Sequence, residues 1–243
     1  MPAAAPAAPA APAPELTAAA SWARRVLSPS FHIIADPAVR TALKAAGFTN
    51  FTTLARTPNS RGQSFDFVVS SPTMRAMART DGELNRALNS SAPVAAFGSG
   101  ARQVVIRQAT DLSLATVISR RRADKDTRIV AERQLLTNPA VHASVEAQAA
   151  LRAGDLDLRA ATVLTVLAGS SHVNVLAVNV DNSERAAGLP ARSIDVRTDA
   201  PGSASAILSS LPSAFAPSKI IQLANDTNRL SWLIVAVPPV GLN

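Results

Sequence analysis

The feature that most constrains this chain is a device used twice: a short apolar run, a capping residue, a proline, then a helical pattern. "FHIIA" (31–35) leads into Asp36-Pro37 and then "AVRTALKAAGF", with Val39, Leu43 and Ala46 at helical spacing. Asp36 suits the N-cap because its carboxylate accepts from the free amides of the first turn. Pro37 suits the first helical position, where no N–H is needed, and Gly47 suits the helix end. "FDFVVS" (65–70) repeats the arrangement with Ser71 as cap, Pro72 as first helical residue and "TMRAMA" as the helix. A further helix over roughly 81–89 precedes another apolar run, "PVAAF" (93–97). Alternation of this kind predicts an α/β fold with mostly parallel sheet and flanking helices. Right-handed crossovers would set the starts of both Pro-led helices at one edge of the sheet.

Gly98-Ser99-Gly100 follows the third strand and invites comparison with a phosphate-binding loop. A dinucleotide fingerprint needs its glycines between a strand and a helix, with a third glycine further on. Here "RQVVIRQ" follows, an alternating strand-like run, and the third glycine is missing. The glycines are therefore expected to turn the chain between two strands.

After residue 110 helices dominate. "DKDTRIVAERQLLTNP" (124–139), "SVEAQAALRAG" (144–154) and "LRAATVLTVLAG", started by Asp155 or Asp157, read as helices, with Leu164, Val166 and Leu167 expected on a buried face. "HVNVLAVNV" (172–180), "ARSIDVR" (191–197), "SKIIQLA" (218–224) and "RLSWLIVAV" (229–237) read as strands, with a helical segment at 203–215. The organisation expected is a Pro/Ala-rich tether or disordered tail over 1–21, an N-terminal α/β portion over 22–115, and a helical segment leading to a C-terminal α/β portion over 116–243. The opening "MPAAAPAAPAAPAP" has neither the charged nor the continuous apolar region of a signal peptide.

Composition narrows the chemistry. Apolar residues make up 47% of the 243-residue chain but aromatics only 4%, so the core is expected to be aliphatic. The net charge of +7 comes from scattered arginines, except at Arg120-Arg121-Arg122, which Asp124, Lys125 and Asp126 follow in the mixed pattern of a solvated face. With few aromatic platforms besides, no nucleic-acid partner is expected. The absence of cysteine excludes disulfides, thiolate metal sites and a cysteine nucleophile. "LSWLIVAV" (230–237) is too short to span a bilayer, so no membrane insertion by this segment is expected.

"FDFVVSSPTMR", "PVAAFGSGARQVVIR", "LLTNPAV", "ALRAGDLDLRAATVLTVLAG" and "APSKIIQL" together resemble the soluble C-terminal region of actinobacterial multi-spanning, glycosyltransferase-like cell-envelope proteins. The resemblance spans roughly residues 30–240 and lies in overall cadence, without a catalytic motif. It implies a domain outside the cytoplasmic membrane whose Pro/Ala stretch follows a membrane span. It brings no catalytic residues with it.

Read on their own, the histidines give little. His32 sits in an apolar run, His142 between helices, and His172 follows Ser170-Ser171. Ser171, His172 and Asp195 suggest a hydrolytic arrangement, but adjacent residues of a strand point to opposite faces. No G-x-S-x-G elbow is present, and no histidine follows His172 to complete a zinc peptidase site. We therefore expect no catalytic residues, no metal and no cofactor. Asp36, Ser70, Ser71 and Ser99 are the candidate ligand-binding residues, set where adjacent strands end. Asp and Ser are also the best N-caps, so a purely structural role stays open for them. The function expected is a non-catalytic, extracytoplasmic binding domain of the cell envelope, with a glycan or a membrane-embedded transferase as partner. The alternative is a cytoplasmic small-molecule-binding module or degenerate hydrolase.

Overall fold

The computed structural model describes residues 13–52, 65–213, 215–216, 219–223 and 226–233. They fall into two compact units, one drawn from Met1–Leu88 with Ala96–Ala109 and the other from Asn89–Ala95 with Thr110–Asn243.

The first unit carries both Pro-led helices. β1 (Ile33–Ile34) runs into α2 (Pro37–Ala45), and β3 (Phe67–Ser70) into α3 (Pro72–Met77) and then α4 (Gly82–Asn89). The sheet order is β2-β1-β3-β5-β4, with β2 at Phe51–Thr52, β5 at Val104–Ala109 and β4 at Ser91–Phe97, of which Ala96 and Phe97 belong to this unit. β1 is parallel to β2 and to β3, which places the starts of α2 and α3 side by side, whereas β3 and β5 are antiparallel. One apolar cluster gathers Ile34, Phe65, Val68, Met74 and Leu84. Gly98 and Gly100 adopt φ of +71° and +58°, and a single 3-10 turn over Gly100–Arg102 joins β4 to β5, as the sequence predicts.

Part of the stretch expected to be a tether is helical. α1 (Pro14–Val26) opens on proline, has Glu15 in its first turn and consists largely of alanine and other good helix formers. It buries Ala19, Ala20, Trp22 and Ala23, with Trp22 edge-on to Phe97 at 6.4 Å between ring centres. Residues 1–12 of that stretch lie outside the described residues.

In the second unit the sheet order is β6-β7-β8-β10-β9, over Val141–Ala143, Val173–Asn179, Ser193–Thr198, Asp226–Leu233 and Lys219–Leu223. β6 and β7 are parallel, while β7–β8, β8–β10 and β10–β9 are antiparallel. The α/β class thus holds with mixed pairing. Only two residues separate β9 from β10, a span that allows a hairpin but no parallel crossover. Residues 234–237 of the last expected strand lie outside the described residues.

The helices of this unit are α5 (Leu114–Leu135), α6 (Val145–Arg152), α7 (Leu158–Ala168), α8 (Asn182–Ala186) and α9 (Pro201–Ser210). α7 is the central one: Val163, Leu164 and Leu167 are essentially inaccessible and pack with Leu151, Val173, Val175, Ile194 and Val196. Val166, expected to be buried with them, is 44% exposed, because two residues on from Leu164 the helical turn carries it to the side opposite Leu164. α5 starts ten residues before the expected position, at a Ser113 cap that accepts from the Thr116 amide at 3.1 Å. Its inward stripe is Val117, Arg128, Glu132 and Leu135, so half of what it buries is charged.

Candidate functional site

At the carboxyl ends of β1 and β3 the two capping residues meet. Asp36 Oδ1 accepts from the amides of Ala38 and Val39 at 2.9 and 3.1 Å, and its Oδ2 accepts from the Ser71 hydroxyl. Ser71 Oγ in turn accepts from the Met74 amide at 3.0 Å. Asp36 is 1% and Ser71 3% exposed, so this cross-linked pair of caps is a buried joint between two helix starts. Both carboxylate oxygens of Asp36 are thus engaged within the joint itself.

A cleft of about 170 Å³ opens above this joint. Three helix starts wall it: Glu15 and Leu16 of α1, Ala38 and Val39 of α2, and Pro72 and Thr73 of α3, with Arg102 and Val104 closing the remaining side. Of the sequence-predicted residues, Asp36 and Ser71 line the cleft. Ser70 lies buried at the end of β3, and Ser99 is exposed on the β4–β5 connection; neither is among the lining residues.

Three polar side chains at the cleft escape sequence reasoning: Glu15, Thr73 and Arg102. Among the described residues none of the three makes a side-chain hydrogen bond or ion pair. They offer an acceptor, a hydroxyl and a guanidinium to whatever enters. Thr73 follows a cap-Pro pair and so sits in a first helical turn, a local signal that could have found it. Glu15 and Arg102 reach the cleft only through the tertiary fold. Arg75 fixes the strand-end turn that carries Arg102, donating to the carbonyls of Ser70 (3.1 Å), Ala101 (2.9 Å) and Gln103 (2.7 Å). Glu15 lies over Gly98, where a Cβ would come within 2.6 Å of its Cγ; that glycine is what lets the carboxylate lie down along the wall.

The hydrolytic arrangement is drawn differently from the sequence expectation. His172 Nδ1 faces Asp199 Oδ2 at 3.1 Å, and both side chains are mostly exposed. Asp195 instead accepts from Asn179 Nδ2 at 3.0 Å. Ser171 Oγ accepts from Thr198 Oγ1 at 3.0 Å and donates to the Leu167 carbonyl at 3.3 Å, so it is turned to the end of α7. Among the described residues no group of three or more His, Asp or Glu side chains is placed to hold a metal ion, and no helix is long and apolar enough to cross a membrane. Compared with models of protein families, with curated proteins and with solved structures, the chain matches none.

Proposed function

We propose that this chain is a non-catalytic binding module of a cell envelope, and that the cleft at the ends of β1 and β3 takes a hydroxyl-rich, glycan-type ligand. The observation that carries this reading is the set of unengaged polar groups, Glu15, Thr73 and Arg102, around one concave site. Sugar hydroxyls each need a donor and an acceptor, and this rim supplies both. The catalytic reading finds less support, because Asp36 and Ser71, the residues best suited by type, are committed to each other and to helix amides. Among the described residues the cleft has no aromatic face for a sugar ring to stack on, so affinity is expected to be weak. The sequence resemblance supports a place outside the cytoplasmic membrane, beside a membrane-embedded transferase.

Calorimetric titration with envelope glycan fragments tests the reading. Arg102→Ala removes a charged donor worth ~1.5–3 kcal/mol if it bonds to ligand, which is about tenfold or more in Kd. Thr73→Ala should cost less, near threefold. Both residues are exposed, so melting temperatures should barely move. Fragments that bind wild type and both variants equally, or that bind none of them, would refute the cleft as a glycan site.

A further inference from the structure

The second unit contains a carboxyl group that, among the described residues, has no hydrogen-bond partner of ordinary geometry. Glu132, in the last turns of α5, is wholly buried, and neither of its side-chain oxygens is bonded. A buried carboxylate without donors is among the costliest groups a fold can carry, and such a group tends to hold its proton instead.

Its surroundings make the same point by charge count. On α5 itself, Arg128 is buried, donates from Nε to the Gly154 carbonyl at 2.8 Å and pairs with Asp124. On the segment facing α5, Asp157 is wholly buried and held by Arg159 of α7 through Nη2 at 2.8 Å, and Asp155 pairs with Arg185 of α8 at 3.2 Å. That segment is bridged to Ala191, whose neighbour Arg192 forms a buried pair with Glu184. Asp124, Asp155, Asp157 and Glu184 thus each have an arginine partner, in Arg128, Arg185, Arg159 and Arg192 respectively. Glu132 is a further buried carboxyl beside them and, among the described residues, has no ion-pair partner.

The contact it would disturb is close. A Cβ on Gly154 would come within 2.7 Å of Ile129 Cγ1 and 3.2 Å of the Lys125 carbonyl, so residue 154 is seated directly on α5. We propose that Glu132 is a proton-held latch: protonated, it lets the 154–157 segment lie closed against α5, and ionised, it loosens that segment. Burial pushes the carboxyl up to about 8; the Leu156 backbone, which faces it outside ordinary hydrogen-bond geometry, and Arg128 oppose the shift, while Asp155 and Asp157 add to it. A folded value above the ordinary 4.5 means that opening releases a proton. The latch is therefore tight below pH 4.5, weakens as pH rises toward 8, and changes no further above it.

The reporters are two amides of the bridge: Asp157 N–H, which donates to the Ala191 carbonyl at 2.8 Å, and Ala191 N–H, which donates to Asp155 at 2.7 Å. Hydrogen exchange of these amides in the full chain, corrected for intrinsic base catalysis, should show opening increase about tenfold per pH unit from 5.5 to 7.5, then level off above about 8. In Glu132→Gln the same amides should lose that slope. A flat wild-type profile, or a Gln variant that keeps the slope, overturns the proposal. Should Glu132→Gln not fold, the carbon-13 resonance of the wild-type Glu132 carboxyl decides it: a midpoint near 8 supports the latch, and one in the ordinary glutamate range overturns it.

Discussion

Ser71 serves two groups through one oxygen: it caps α3 by accepting from the Met74 amide and donates to Asp36, and so ties α3 to the cap of α2. Ser71→Ala removes a cap and leaves a buried carboxylate oxygen without its donor, and we expect it to lower stability by roughly 2–4 kcal/mol. Ser70→Ala should cost much less, since among the described residues the Ser70 hydroxyl makes no hydrogen bond and only its carbonyl is used, by Arg75. Urea unfolding of the two single variants separates them; equal midpoints would mean that the cap-to-cap bond contributes nothing. Asp36 and Ser71 were legible in the sequence because capping chemistry is local: an Asp-Pro or Ser-Pro step after an apolar run announces a helix start wherever it occurs. That the two caps also bond to each other, and that Glu15 and Arg102 join them at one cleft, depends on strands brought together from distant parts of the chain.

At the scale of elements, α7 was readable because nearly every inward position is apolar. Leu164→Ala, in the middle of its buried face, should destabilise the chain by ~2–5 kcal/mol, read as a shift of the urea midpoint. A midpoint indistinguishable from that of Val166→Ala, which sits on the exposed side, would show the helix to be peripheral. α5 was the harder case. Hydrophobic periodicity looks for apolar residues on the buried stripe, and here Arg128 and Glu132 hold those positions while Ile118 and Val130 face outward. The pattern inverts because the helix packs on a charged network, and no periodicity in one segment can reveal partners supplied by residues 154–192. β2 and β6, two and three residues long, fall below the length at which alternation carries a signal. α1 was hidden by its neighbours: a run of prolines and alanines masks the point at which the prolines stop and the alanines begin to build a helix.

For the whole molecule, the excess of arginine is less free than the net charge suggests. Arg75, Arg121, Arg128, Arg159 and Arg192 are committed to carbonyls or carboxylates within their own units. With three dispersed histidines and no cysteine, we expect purified protein to contain no stoichiometric transition metal; elemental analysis finding about one zinc per chain, lost on His172→Ala, would reverse that. The edge-on seating of Trp22 against Phe97 has an optical consequence. The chain has no tyrosine and two tryptophans, Trp22 in α1 of the first unit and Trp232 in β10 of the second. Each unit therefore carries its own intrinsic fluorophore against a dark background. In Trp232→Phe, the remaining emission belongs to an indole in the first unit that is 2% exposed, and it should shift to the red only when α1 leaves its sheet. Comparing that signal with far-ultraviolet circular dichroism across a denaturant series tells whether the two units come apart together or in turn, with no label attached to either.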